Sequence, residues 1–181
     1  MLIINHLYNL KLKRKLPNIK NFKIGKLMEC TGGEHIYFGD NFKAGMMFRI
    51  EAIDNYLGEK YNPKIEIGNN ADFGQSCHVG CINHIKIGEN CLLGSKVLII
   101  DHNHGSTSEN IELPPGKRKL ISKGPICIGD NVWIGDGAVI LGNVSIGDNV
   151  IIGANSVVCK NVPSNCVIAG VPSKVIKKLK V

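Results

Sequence analysis

Twelve hexapeptides in this chain begin on a large apolar residue. They start at Ile67, Phe73, Val79, Ile87, Leu93, Ile99, Ile128, Ile134, Ile140, Ile146, Ile152 and Val158. The second residue is Gly in nine of the twelve, and the fifth is small or β-branched in ten, the exceptions being Asn83 and Asn103. A period of six fits neither the 3.6-residue repeat of an amphipathic helix nor the alternation of a half-buried strand. It demands a short strand and then a sharp bend, and Gly suits the bend because it reaches positive φ at little cost. Three hexamers close a triangular turn of about eighteen residues, and such turns stack ~4.8 Å apart as a parallel β-helix. Each coil buries its apolar row only on its neighbours, so several are needed.

The phase groups 67–84, 87–104, 128–145 and 146–163 as coils, with two added residues such as Ile85 and Lys86 read as a corner bulge, and IYFG at 36 marks an earlier coil. The domain reading is a basic lead-in over 1–23, a β-helix over 24–163 and a capping segment over 164–181. Pro17 breaks any helix begun over Leu7 to Leu16, and Ser173 to Lys180 is expected to form a short C-terminal helix. Two stretches leave the rhythm, an excursion at 52–63 and a long loop at 105–125.

A length of 181 residues is enough for one domain with a substantial core. The net charge of +7 favours an anionic partner without choosing between a nucleotide, a nucleic acid and a membrane surface. No apolar run reaches the ~18 residues needed to cross a bilayer. MLIINHLYNLKLKRK places its apolar residues before its charges, the wrong order for a signal peptide. The seven cysteines contain no CxxC and read as reduced thiols of a cytoplasmic protein.

The break in the rhythm, LGSKVLIIDHNHG over Leu93 to Gly105, carries Asp101, His102, Asn103 and His104. A His is the usual general base near neutral pH. Asp101 can orient one imidazole and stabilise its charged form, or simply hold the start of the loop. On an extended strand His102 and His104 project to one side. Uninterrupted counting puts His84 beneath His104 and Asn83 beneath Asn103, as an Asn ladder under the loop or as an acceptor pocket. His78 closes a different side of its coil. Cys77 and Cys91 fall on fifth positions and read as structural rather than nucleophilic. The loop 105–125 is too long for an idle turn. Its Lys117, Arg118 and Lys119 either meet an anionic substrate or form a solvated run.

The hexamer array, IGDNVWIGDGAVIL (128–141) and IIGANSVVCKNVPSNCVIAGVPSKVIKK (151–178) resemble the hexapeptide-repeat acyltransferases, whose fold is a left-handed parallel β-helix. The resemblance runs from about residue 36 to the C-terminus. It is closest to the sugar O-acetyltransferases, with DHNHG pointing to the O-antigen and capsule branch rather than the maltose and galactoside branch. It implies acetyl-coenzyme A as co-substrate, a carbohydrate acceptor, direct acetyl transfer, and a homotrimer with sites between subunits. It favours His104 as base, since the family carries its catalytic His on that last hexamer position, and leaves His102 as the rival. It places Trp133 near the thioester, and Gly135, Ala154 and Cys159 along the pantetheine groove. Lys160, Lys174 and Lys177 fall near the cofactor phosphates, Lys standing where relatives often use Arg, at the loss of bidentate pairing. In that family a loop such as 105–125 folds over a neighbouring subunit.

Other classes stay open at this point. A γ-type carbonic anhydrase on the same fold would bind zinc through His residues such as His78, His84, His102 and His104. An N-acetyltransferase of a nucleotide amino sugar would need similar machinery, and a non-catalytic scaffold would not need the His pair at all. The basic N-terminus suits peripheral contact with an anionic membrane.

Overall fold

The computed structural model describes residues 13–106, 108 and 111–180. Its strands stack into three faces of a parallel coil. Face one holds Phe22–Ile24, Phe42–Ala44, Asp72–Phe73, Leu92–Leu93, Trp133–Ile134, Ile151–Ile152 and Cys166–Ala169. Face two holds Glu29–Thr31, Arg49–Ala52, His78–Cys81, Leu98–Ile100, Val139–Leu141 and Val157–Val158. Face three holds Ile36–Phe38, Lys64–Ile67, His84–Ile87, Ile126–Ile128 and Val144–Ile146. Among the described residues no helix is long and apolar enough to cross a membrane.

The register is the one the period implies. Ile67, Ile87, Ile128 and Ile146 form one column, and Val79, Ile99, Ile140 and Val158 another. All twelve apolar heads are buried, as are all fifth-position residues except Asn83 and Asn103. Leu16 and Ile19 of the lead-in are buried at the first coil, and the first strand begins at Phe22. Most of the Leu7 to Leu16 stretch lies outside the described residues; residues 13–15 are helical.

The second-position glycines serve a different purpose from the one expected. None of the nine has positive φ. All but Gly80 and Gly153 are required because each coil lies on the next: a Cβ on Gly74 would sit 2.5 Å from the carbonyl carbon of Gly94, and one on Gly68 would sit 2.6 Å from that of Gly88. The left-handed backbone falls instead on the fourth position, at residues such as Asn70, Ser76, Asn90, Asn131 and Asn149. Asn enters that region more readily than other side chains because it bonds locally. At the corner between faces three and one these Asn form a ladder. Asn41, Asn70, Asn90, Asn131 and Asn149 each donate from Nδ2 to the Oδ1 of the next, ending on Asn165, at 2.8 to 3.3 Å.

The added residues also sit elsewhere than expected. Ile85 is no bulge: it is fully buried and pairs with Ile65 and Ile126. The extra length is in the corner between faces two and three. Six positions separate Val79 from Ile85 there, against four from Ile140 to Val144. Both excursions leave from this same corner. The chain departs at Ile53, forms the hairpin Asn55–Tyr56 with Glu59–Lys60, and returns at Lys64. Two coils later it departs after Asp101, and His102–His104 pairs antiparallel with Leu120–Ser122 before the stack resumes at Gly124 and Pro125.

The expected C-terminal helix is a strand. Lys174–Lys178 pairs antiparallel with Cys166–Ala169 and closes face one. The last parallel strand presents unpaired backbone groups at an open edge, and a returning strand satisfies them where a helix would not.

The ladder generates a stability prediction. Asn131→Gly keeps the left-handed φ of 56° and loses only the ladder bonds, whereas Asn131→Ala must also hold a Cβ there, at a further cost of about 1–2 kcal/mol. Urea unfolding should therefore rank wild type above Gly above Ala; Ala equal to Gly would contradict the assignment.

Candidate active site

Asp101 is the last residue of its coil in register, its N–H donating to the Gly80 carbonyl at 3.2 Å. Its side chain is fully buried in the widened corner. The carboxylate accepts the backbone N–H groups of Ile82 and Asn83, each at 2.9 Å, and lies 3.3 Å from the Cys81 sulfur. It also meets His102 Nδ1 at 3.1 Å. A carboxylate only accepts, so His102 donates from Nδ1. The His102 ring is buried over Gly80, where an added Cβ would come within 3.3 Å of its Cε1. Asp101 and His102 thus root the hairpin, and His104 stands exposed beyond them.

His104 is met by a residue from the first excursion. Tyr56 Oη lies 3.4 Å from His104 Nδ1 and donates to the Gly116 carbonyl at 3.0 Å. The two rings are edge-on, with centroids 5.4 Å apart. Tyr61, on the same excursion, accepts from Leu120 N at 3.0 Å and donates to Leu120 O at 3.2 Å. Neither tyrosine was named from sequence. Ala52 pairs with Cys81 and Gly80 with Ile100, so both excursions spring from one corner, which only the register reveals.

The predicted stack of polar residues is not formed. The backbone bonds of 102–104 go to 120–122, so the string leaves the column that His84 occupies. Lys64 lies opposite His84 in the register, and the coil on the other side returns through Gly124 and Pro125. His84 Nε2 lies 2.7 Å from Glu66. Asn83 supports Asp101 through its backbone, and Asn103 sits apart on the hairpin beside His104. Arg118 is held inside its own loop, donating to the carbonyls of Leu113 and Ile111 at 2.7 and 2.6 Å; Lys117 and Lys119 are exposed.

The four histidines weighed as zinc ligands have separate environments: His78 meets Glu51, His84 meets Glu66, His102 meets Asp101 and His104 meets Tyr56. Among the described residues the one ligand-like cluster is Glu34, His35 and Asp54, which contains none of them. Burial pushes the Cys77 and Cys91 thiols up to about 11, and that of Cys81 higher still, as structural thiols require.

Trp133, Gly135, Ala154, Lys174 and Lys177 gather on face one and its corner with face two, whereas Cys159 and Lys160 lie at the corner between faces two and three. Trp133, Ile151, Val167 and Lys177 form one row across face one, with Trp133 exposed. Gly135 abuts Ala154, since a Cβ there would lie 2.6 Å from the Ala154 nitrogen. Lys174 pairs with Ala169, and Cys159 and Lys160 are exposed just beyond Val158. Nearer the first coils the corner between faces one and two holds a groove of about 700 Å³, lined by residues such as Gly45, Met46, Gly74 and Gln75. Asp101 and the root of the His104 hairpin belong to the corner between faces two and three, as Cys159 and Lys160 do, whereas Gly135 and Ala154 lie at the corner between faces one and two.

Known proteins share this arrangement. Residues 128–160 match the family described as bacterial transferase hexapeptide (six repeats), and residues 84–100 match the hexapeptide repeat of succinyl-transferase. The chain is 34% identical to the galactoside O-acetyltransferase of Escherichia coli K12, over 91% of this chain and 90% of that one. It is 40% identical to WbbJ of the same organism, over 79% and 71% of the two chains; the name of WbbJ provisionally assigns it to O-acetyl transfer in lipopolysaccharide biosynthesis. A maltose O-acetyltransferase from Clostridium difficile 630 superposes with a TM-score of 0.62 at 29% identity, covering 94% of this chain and 73% of the other.

One pH dependence follows from the neighbouring ion pair. The hydrogen bond from His78, opposed by burial and helped by Arg49, holds the Glu51 carboxyl down at about 2 from 4.5. A depressed carboxyl contributes stability that is present above its unfolded value and lost as pH falls through the folded one. The melting-temperature advantage of wild type over Glu51→Gln should therefore be full near neutrality and shrink between pH 4.5 and about 2. A difference that does not change with pH would contradict this.

Proposed function

The chain belongs to the hexapeptide-repeat acetyltransferases, enzymes built on a left-handed parallel β-helix, and from that premise we propose that it transfers acetyl from acetyl-coenzyme A to a sugar hydroxyl with His104 as general base. The observation that carries the choice of base is the contrast within DHNHG. His102 is buried and tied to a buried carboxylate, whereas His104 is exposed at the end of a braced hairpin. A base must reach the acceptor, and a ring committed to the hairpin root does not.

In this reading the acceptor hydroxyl gives its proton to His104 as its oxygen attacks the thioester carbonyl. The C–S bond then breaks, the proton passes from the imidazole to the departing sulfur, and free coenzyme A leaves beside the O-acetyl ester. No acyl-enzyme is needed, and the buried Cys77, Cys81 and Cys91, with thiols held protonated, offer no nucleophile. Gly135 and Ala154 give pantetheine a corner with no bulk beyond Cβ, and Lys160, Lys174 and Lys177 supply point charges for its phosphates. Because the Gly135–Ala154 part of the slot lies at a different corner from the base, a complete site in this reading takes its parts from two copies, as in a homotrimer. The acceptor belongs to surface polysaccharide synthesis in this reading, supported by the likeness to WbbJ.

The test is acetyl-coenzyme A consumption over a panel of mono- and oligosaccharides, nucleotide sugars and amino sugars. His104→Ala should lower kcat by roughly 10²–10⁴ while coenzyme A still binds by calorimetry. A folded His104→Ala enzyme with full activity, beside an inactive and folded His102→Ala enzyme, would assign the base to His102.

A further inference from the structure

We propose that Tyr56 is a positioning residue that fixes the tautomer of His104, keeping the ring proton on Nδ1 and leaving Nε2 with the lone pair. This rests on the reading of His104 as base and adds which of its nitrogens does the work.

The number of protons available decides the tautomer. Tyr56 Oη lies 3.0 Å from the Gly116 carbonyl oxygen and 3.4 Å from His104 Nδ1. A phenol carries one proton, and a carbonyl oxygen only accepts. The single proton of Tyr56 is therefore spent on Gly116, and its oxygen has only lone pairs to offer His104. Nδ1 must be the donor. In a neutral imidazole the other nitrogen is then bare, and Nε2 becomes the atom that takes the acceptor's proton. A free histidine side chain favours the opposite tautomer, with the proton on Nε2, so the site must impose this one.

The surroundings suit the task. The Tyr56 ring stands edge-on to the imidazole at an interplanar angle of 71°, which restricts rotation of the ring that has to be aimed. Among the described residues no carboxylate pairs with His104, in contrast to His78, His84 and His102. A neutral hydroxyl selects a tautomer without holding the ring permanently charged, and a permanently charged ring would be useless as a base. Tyr61 gives the comparison. It comes from the same excursion and pins the opposite strand of the hairpin through both backbone groups of Leu120, without touching His104. Tyr61 thus holds the strand while Tyr56 holds the ring.

The test uses the full-length protein with 15N-labelled histidine rings and long-range 1H–15N correlation spectra, at mildly alkaline pH where imidazoles are neutral. Loss of a signal in His104→Gln assigns it. Wild type should show His104 protonated on Nδ1. Tyr56→Phe should shift the population toward Nε2–H and lower kcat about five- to ten-fold, the size of one neutral hydrogen bond, with KM for acetyl-coenzyme A unchanged. Tyr61→Phe should leave the tautomer ratio as it is. An Nε2-protonated His104 in wild type overturns the proposal even if the variants do not fold. So does an unchanged ratio in Tyr56→Phe, or an equal shift in Tyr61→Phe. Failure of the base reading is seen separately, as retained activity in His104→Ala, whatever tautomer the spectra show.

Discussion

The buried carboxylate of Asp101 decides where the coil stops and the chemistry begins. It takes two backbone N–H groups from the corner below and one imidazole from the hairpin above. An unpaired charge in that position would be very costly, so the corner and the hairpin root are specified together. The corner can offer Ile82 N and Asn83 N because it is two residues longer than the corner between Ile140 and Val144. Gly80 leaves room for the His102 ring, and Gly142 in the next coil lies so close that a Cβ there would come 2.8 Å from the Asp101 carbonyl oxygen. A loop that begins on such a foundation can present an exposed histidine in a defined place.

The coil was legible because it rests on burial, which a repeating apolar residue reports directly. Twelve heads and ten fifth positions give the faces and their register without further information. The bends were misread because Gly has two possible uses. The period shows that a residue lacking Cβ is needed at the second position; it does not show whether φ or close stacking requires it. Stacking does at most of these positions, and the left-handed backbone falls two residues further on, at the fourth position, most often on Asn. The C-terminal segment VPSKVIKK has a composition that suits either state, and the open edge of face one decides for a strand.

The site was legible in its string and not in its surroundings. DHNHG marks the break correctly, but counting hexamers through it assumes that backbone bonds continue to run from coil to coil. At His102 they turn to Leu120–Ser122 instead, and every inference carried across that point, above all the stacking of His84 under His104, loses its basis. Tyr56 and Tyr61 were overlooked for a related reason. Excursions look like interruptions when the chain is read in order, and become neighbours only when both are traced to the same corner. Fold and proposed site divide accordingly: the stack is local and periodic, while the proposed site lies where two departures from the period meet.

The remaining question is how the proposed base at one corner would reach an acetyl group held at another. In the proposed reading two copies of the chain share each site, His104 from one and the Gly135–Ala154 corner from its neighbour. Mixing two inactive variants tests this most directly. His104→Ala removes the base, and Ala154→Trp, at an exposed position, fills the slot without disturbing the core. Each variant assembled alone should be inactive. Unfolded and refolded together, they should form mixed assemblies in which some sites receive an intact His104 from one chain and an intact slot from another, so that part of the wild-type acetyl transfer returns. Mixed assemblies that form, shown by tagged pull-down, and yet stay inactive would contradict the account and place the whole site within one chain.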